Sequence, residues 1–196
     1  MSEKRMGKLL MVGPAKLWKG VHILTQAWNT LASEKPEIRL TWVCSDEERI
    51  EAEQLFSEQS KHRISFVQPV SQDALMELYD SHGIFLFPSL FEGFGKAPLE
   101  AMSRGLCVIA SDTGGMRDVI KSGEDGILFE TGNAARLEAA IVELCSDTDR
   151  ACRMGRSARK KAMQYSWERV AAETVAFYRR LIERKQRQAA SRVKMA

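Results

Sequence analysis

Six short apolar runs, spaced so that a helical stretch fits between successive ones, constrain this chain more than any other feature of its sequence. They are Leu9 to Gly13, Leu40 to Cys44, Ile64 to Val67, Ile84 to Phe87, Val108 to Ala110 and Ile127 to Phe129. Most lack the polar alternation of a strand with one wet face, so both faces must be covered, which is the condition of a parallel sheet. Val21, Leu24, Ala27, Trp28 and Leu31 recur at helical spacing, as do Leu75, Leu78 and Tyr79 behind the capping residue Ser71. Alternating strands and helices with right-handed crossovers predict an α/β fold: a Rossmann-like, doubly wound parallel sheet of about six strands with helices on both faces. Its ligand crevice would lie beyond the carboxyl ends of the strands, in the loops that lead into helices.

After Phe129 the pattern is helical only: Ala134 to Cys145, Ala151 to Gln164, and Trp167 to about Gln188. In the last of these, Trp167, Val170, Ala171, Thr174, Phe177, Tyr178 and Leu181 form a stripe that should cover something apolar, most simply the chain's own sheet. A length of 196 residues suffices for one well-buried core. The expectation is a single domain over residues 1–185, followed by a frayed basic tail over residues 186–196.

The 44% hydrophobic and 28% charged fractions exclude a disordered or fibrous chain. No apolar run approaches the ~20 residues of a spanning helix, and the stretch after the charged amino terminus is too short for the core of a signal peptide. The four cysteines, Cys44, Cys107, Cys145 and Cys152, show no Cys-x-x-Cys spacing, so buried thiols in a reducing compartment are expected. A cytoplasmic location follows as the expectation. The net charge of +3 is concentrated at the end, because Arg179 to Ala196 carries seven basic residues against one acidic. The body is therefore acidic overall, which speaks against nucleic acid as a partner. The tail reads most simply as a solvated helix end; contact with an anionic membrane, at its inner face, is the other reading.

Chemistry concentrates in Phe87-Pro88-Ser89-Leu90-Phe91-Glu92-Gly93-Phe94-Gly95-Lys96-Ala97-Pro98-Leu99-Glu100, which reads strand, glycine loop, helix. Gly93 and Gly95 let the backbone approach a ligand, and Pro98 suits a first helical turn. Open amides and the helix dipole there favour a phosphate. Glu92 and Glu100 can both face the crevice, and carboxylates accept hydrogen bonds from hydroxyl pairs while repelling phosphate. Ribose and sugar hydroxyls are thus assigned to the two glutamates, and phosphates to the amides and to a cation. Lys19, in the loop after the first strand, is a suitable point charge.

The segment resembles the Glu-x7-Glu motif of retaining glycosyltransferases with two Rossmann domains (the GT-B fold), glycosyltransferase family 4 or glycosyl transferases group 1. The resemblance extends over nearly the whole chain: Gly13 and Lys19-Gly20, Pro88-Ser89, Gly105, Ala110-Ser111-Asp112 with Gly114-Gly115, and Tyr165-Ser166-Trp167-Glu168. It implies the carboxyl-terminal, donor-binding domain of a hexosyltransferase that moves a sugar from a nucleotide diphosphate to a saccharide or lipid-linked acceptor, as in polysaccharide or lipopolysaccharide synthesis. Glu92 would be the catalytic carboxylate, holding sugar hydroxyls at the reacting centre. Gly13, Gly93, Phe94 and Gly95 would line the donor, Glu100 would hold the ribose, and Lys19 would neutralise the diphosphate. No cofactor and no essential metal are implied. The acceptor domain would be a separate amino-terminal domain or partner chain.

The chain departs from the family pattern at Gly13-Pro14, where an arginine is usual and Lys16 is the candidate substitute. It departs again at Cys44, Cys107 and Lys96. Two other readings of the same fold are a scaffolding module without turnover and a sugar-nucleotide epimerase. Asp147-Thr148-Asp149 reads as a helix cap, His22, His62 and His82 have no ligand spacing, and Gly114-Gly115 reads most simply as a turn between a strand and a short helix, with lining of the crevice as the other reading. Pro69 and Val70 are assigned to the base edge.

Overall fold

The computed structural model describes residues 5–194. These fall into two compact units, one ending at Ala162 and one beginning at Met163. The first unit holds six strands: β1 (Lys8–Val12), β2 (Arg39–Val43), β3 (Ile64–Val67), β4 (Ile84–Phe87), β5 (Cys107–Ser111) and β6 (Ile127–Phe129). They form one sheet in the order β3-β2-β1-β4-β5-β6. Every pairing is parallel.

The absence of polar alternation in the strands has a direct structural cause. Leu9 and Met11 enter a core on one face of the sheet while Leu10 enters the core on the other. Ile84 and Leu86 oppose Phe85 and Phe87 in the same way, and Cys107 and Ile109 oppose Val108 and Ala110. The first core is closed by α1 (Val21–Glu34) and α7 (Ala134–Ser146), through Leu24, Trp28, Leu31, Leu137 and Ile141. The second is closed by α4 (Gln72–Ser81), α5 (Lys96–Ser103) and α6 (Met116–Val119), through Tyr79, Met102 and Met116. Each fully buried large apolar side chain of this kind contributes roughly 1.5–3 kcal/mol. The buried indoles are also satisfied: Trp28 Nε1 donates to Ser60 O at 3.3 Å and Trp42 Nε1 to Gly13 O at 2.9 Å.

Between β2 and β3 lie α2 (Asp46–Glu53) and α3 (Glu58–Lys61). Helix α2 starts in a capping box: the Ser45 hydroxyl accepts from Glu48 N, and Glu48 Oε2 accepts from Ser45 N. Helix α8 (Thr148–Ala162) gives Ala151, Cys152 and Met154 to the first core and Ala158 to the second. Cys44, Cys107 and Cys152 are buried and Cys145 is half-buried, all as free thiols.

The second unit is carried by α9 (Trp167–Lys194). Its apolar stripe is solvent-facing: Val170, Phe177, Tyr178 and Leu181 are all exposed, Trp167 at 77%. The last two residues of the expected tail, and residues 1–4, lie outside the described residues. Among the described residues no helix is long and apolar enough to cross a membrane.

Candidate functional site

In this strand order the winding reverses between β1 and β4, the topology that in open α/β sheets places a ligand crevice at the carboxyl ends of these strands. The first loop runs from Gly13 to Gly20 and includes a single 3-10 turn, Leu17–Lys19. The second runs from Pro88 to Gly95, and a third, from Asp112 to Gly115, follows β5.

Backbone contacts join the three loops. Gly13 N donates to Val43 O at 3.0 Å, which with the Trp42 indole pins the first loop to β2. Leu90 N donates to Trp18 O at 2.8 Å, tying the second loop to the first. Gly20, at φ 76°, passes so close to the Pro88 carbonyl that a Cβ there would overlap it. Gly115 N donates to Gly93 O at 3.0 Å and Thr113 Oγ1 to Leu90 O at 3.4 Å, tying the third loop to the second. At Gly114, φ 52°, a Cβ would sit 2.9 Å from the Glu92 carbonyl carbon and nearer still to its oxygen. The chain there must be glycine for the Glu92 segment to lie where it does.

On this frame Lys19 Nζ meets Glu92 Oε2 at 2.5 Å, the two residues coming from opposite sides of the crevice. Each side chain keeps 21% of its surface open, and the ammonium lies 5.3 Å from the centroid of the Phe87 ring. The pair is thus partly shielded and reachable by a ligand. Helix α5 starts at Gly95, φ 81°, without a side-chain cap, so its first amides are open to an anion. Pro98 falls at its third position. Glu100, one turn further on, accepts a hydrogen bond from the Tyr79 hydroxyl at 3.1 Å. Burial, and then the neighbouring Glu100 carboxylate, push the Tyr79 phenol well above its ordinary range, so it remains a donor at any working pH. Phe91 and Phe94 are exposed on the second loop.

The other residues singled out from the sequence are distributed differently. Lys16 turns toward Glu48, 3.9 Å away. Pro69 and Val70 are exposed after β3, the edge strand, two strands from the crevice. Cys44 is buried, its thiol pushed up to about 11 by burial and then by Glu48, which makes it a packing residue. Asp147 caps α8, its Oδ1 accepting from Arg150 N at 2.8 Å. His82 is buried between Leu78 O and Thr41 Oγ1. Among the described residues no three His, Cys, Asp or Glu side chains gather into a metal-ligand cluster. Tyr79 and Phe87 are residues at this site that sequence reasoning did not assign. Tyr79 is 21 positions from Glu100 and carries only a helix-stripe signal, whereas the Gly114-Gly115 pair was visible but not its partner loop.

A doubly wound 3-2-1-4-5-6 sheet, with a lysine and a carboxylate paired at its switch point and a second carboxylate on the helix that follows, is the arrangement of the Rossmann-like half of a GT-B glycosyltransferase. The chain matches the family described as glycosyl transferases group 1 over residues 2–161, and it belongs to that family. It is 32% identical over 178 residues to D-inositol 3-phosphate glycosyltransferase of Corynebacterium urealyticum, covering 87% of this chain and 42% of the relative. Sucrose-phosphate synthase of Thermosynechococcus elongatus superimposes with a TM-score of 0.81 at 29% identity, over 93% of this chain and 47% of that one. Anabaena HepE, solved in complex with UDP, shares the fold with a TM-score of 0.76 at 23% identity, over 89% of this chain and 50% of that one. The chain spans about half the length of the relatives it matches, and corresponds to their carboxyl-terminal domain.

Proposed function

We propose that this chain is the donor-binding domain of a retaining glycosyltransferase, holding a nucleotide diphosphate sugar in the crevice between β1 and β4. The observation that carries the reading is the Lys19–Glu92 pair, a cation and a carboxylate delivered 2.5 Å apart by two different loops at the switch point. A donor diphosphate would take Lys19 and the first amides of α5, both of which favour negative charge. Glu92, released from Lys19, would turn to the sugar hydroxyls, and Glu100 would accept from the ribose. As the sugar–phosphate bond breaks, charge builds on the departing diphosphate, where the lysine and the helix dipole stabilise it with no resident metal. Catalysis of this kind is positional and electrostatic. A saccharide or lipid-linked acceptor would be read by an amino-terminal domain or by a partner chain. The UDP complex of Anabaena HepE supports a nucleotide sugar as the donor class.

The test is calorimetric titration with UDP-, GDP- and ADP-sugars, repeated on Lys19→Ala and Glu100→Gln. Binding of one nucleotide class, weakened in each variant by ~1–3 kcal/mol, is the expected result. A folded chain that binds none of them would overturn the reading. The basic residues Arg179, Arg180, Arg184 and Lys185 are exposed on α9 and support peripheral contact with anionic lipid. Co-sedimentation with anionic vesicles, absent with zwitterionic ones and abolished by 0.5 M salt on the order expected from screening, checks it.

A further inference from the structure

Glu100 lies on the helix that follows the glycine loop, half-buried, on a side chain with three rotatable bonds, yet one of its oxygens is already engaged. Tyr79 Oη donates to Glu100 Oε2 at 3.1 Å. Tyr79 itself cannot move: it is fully buried and packs on Phe85 with ring centroids 5.9 Å apart. Its backbone carbonyl is held as well, accepting from the Arg5 guanidinium at 2.9 Å. A rigid donor inside the core therefore fixes a flexible acceptor at its surface.

We infer that Tyr79 is a positioning residue for ribose recognition, which deepens the donor-binding reading above and rests on it. An ionised carboxylate has about four lone-pair sites on its two oxygens. The phenol takes one site on Oε2 and sets the plane of the group. Oε1 and the outer lone pair of Oε2 are left side by side, the spacing that a vicinal diol requires. Held in this way, the carboxylate loses little rotational freedom when ribose arrives, whereas a free glutamate side chain must first give up its rotamer entropy. The aromatic column from Tyr79 through Phe85 to Phe87, on which Lys19 rests, places the ribose carboxylate and the phosphate cation on one support.

The experiment uses the 196-residue chain. The diphosphate that it binds best among UDP, GDP and ADP is titrated beside its 2′,3′-dideoxy form, in wild type, Glu100→Gln and Tyr79→Phe. Tyr79→Phe removes one oxygen and keeps the ring that fills the core; its folding is checked by near-ultraviolet circular dichroism. The expected result is a wild-type preference for the ribose form, largely lost in Glu100→Gln and reduced by about 3- to 10-fold in Tyr79→Phe, with the dideoxy affinity unchanged. A Tyr79→Phe domain with the full wild-type preference would overturn the inference and leave Glu100 in its role. Equal wild-type affinity for both forms, or no binding to any diphosphate, would remove the ribose role of Glu100 and the inference with it.

Discussion

Replacing Gly114 by alanine tests the interlocking of the loops most directly. Two separable penalties are expected. At φ 52° an alanine is held in the left-handed region, costing about 1–2 kcal/mol. Its Cβ also enters the space of the Glu92 carbonyl, so the second loop must retreat, and the hydrogen bond from Gly115 N to Gly93 O goes with it, at about 0.5–1.5 kcal/mol. Together these make about 1.5–3.5 kcal/mol, or a fall in Tm of about 3–14 °C for a body of this size. Glu92 would be displaced by roughly 1 Å, an error that costs a positioned site on the order of 10²-fold. Gly123→Ala is the control, because Gly123 also has positive φ, 87°, but nothing within 4 Å of its Cβ position. The assay is thermal unfolding of both variants, followed by titration with the preferred nucleotide sugar. Gly123→Ala should lose stability alone, while Gly114→Ala loses more stability and the sugar increment of affinity. Equal behaviour of the two variants in both measurements would refute the claim that Gly114 supports the Glu92 segment.

Glu92→Gln should bind the bare nucleoside diphosphate about 3- to 5-fold more tightly than wild type, because Lys19 no longer has to leave a carboxylate, while losing the extra affinity for the sugar. Weaker binding of the bare diphosphate would contradict the geometry of the pair. For His82, burial foremost, aided by Lys8 and Arg5, holds the imidazole below its ordinary pKa. The unfolded chain therefore takes up a proton below about pH 6.5 that the folded chain resists, and stability should fall as the pH drops from 7 toward 5. Chemical unfolding across that range should show a shallower fall in His82→Gln. Alanine at both Phe177 and Tyr178, exposed by 53% and 59%, should leave the unfolding free energy of the chain within about 0.5 kcal/mol. A larger loss would mean that these rings are covered in solution.

Much of the fold was legible because strands buried on both faces announce themselves by continuous apolar composition, and each observed strand lies within one residue of its expected ends. That Lys19 and Glu92 come from loops which the strand order sends to one end of the sheet was legible, whereas their pairing with each other was not. Other features depend on contacts between segments far apart in the chain. Tyr79 looks like any apolar residue of an amphipathic helix until α4 and α5 are seen side by side. Gly114 reads as a turn until the Glu92 carbonyl is found against it. Lys16 illustrates the reverse problem: its charge suited the diphosphate, but the capping residue Glu48 of α2 lies within reach of it. The Ser45-x-x-Glu48 spacing that announces this helix start was present in the sequence and went unread. For α9, periodicity identified the apolar stripe correctly and could not say whether anything covers it.

The backbone hydrogen bonds from Leu90 to Trp18 and from Gly115 to Gly93 also affect how such a site can change over evolutionary time. Main-chain groups are common to almost every residue type, so a crevice floor fastened through them tolerates turnover of the side chains around it. Pro14, which offers a ligand no charged side chain, leaves that floor in register. On the proposed reading, donor handling would become an inheritable cassette, with new acceptor preferences explored elsewhere without rebuilding it.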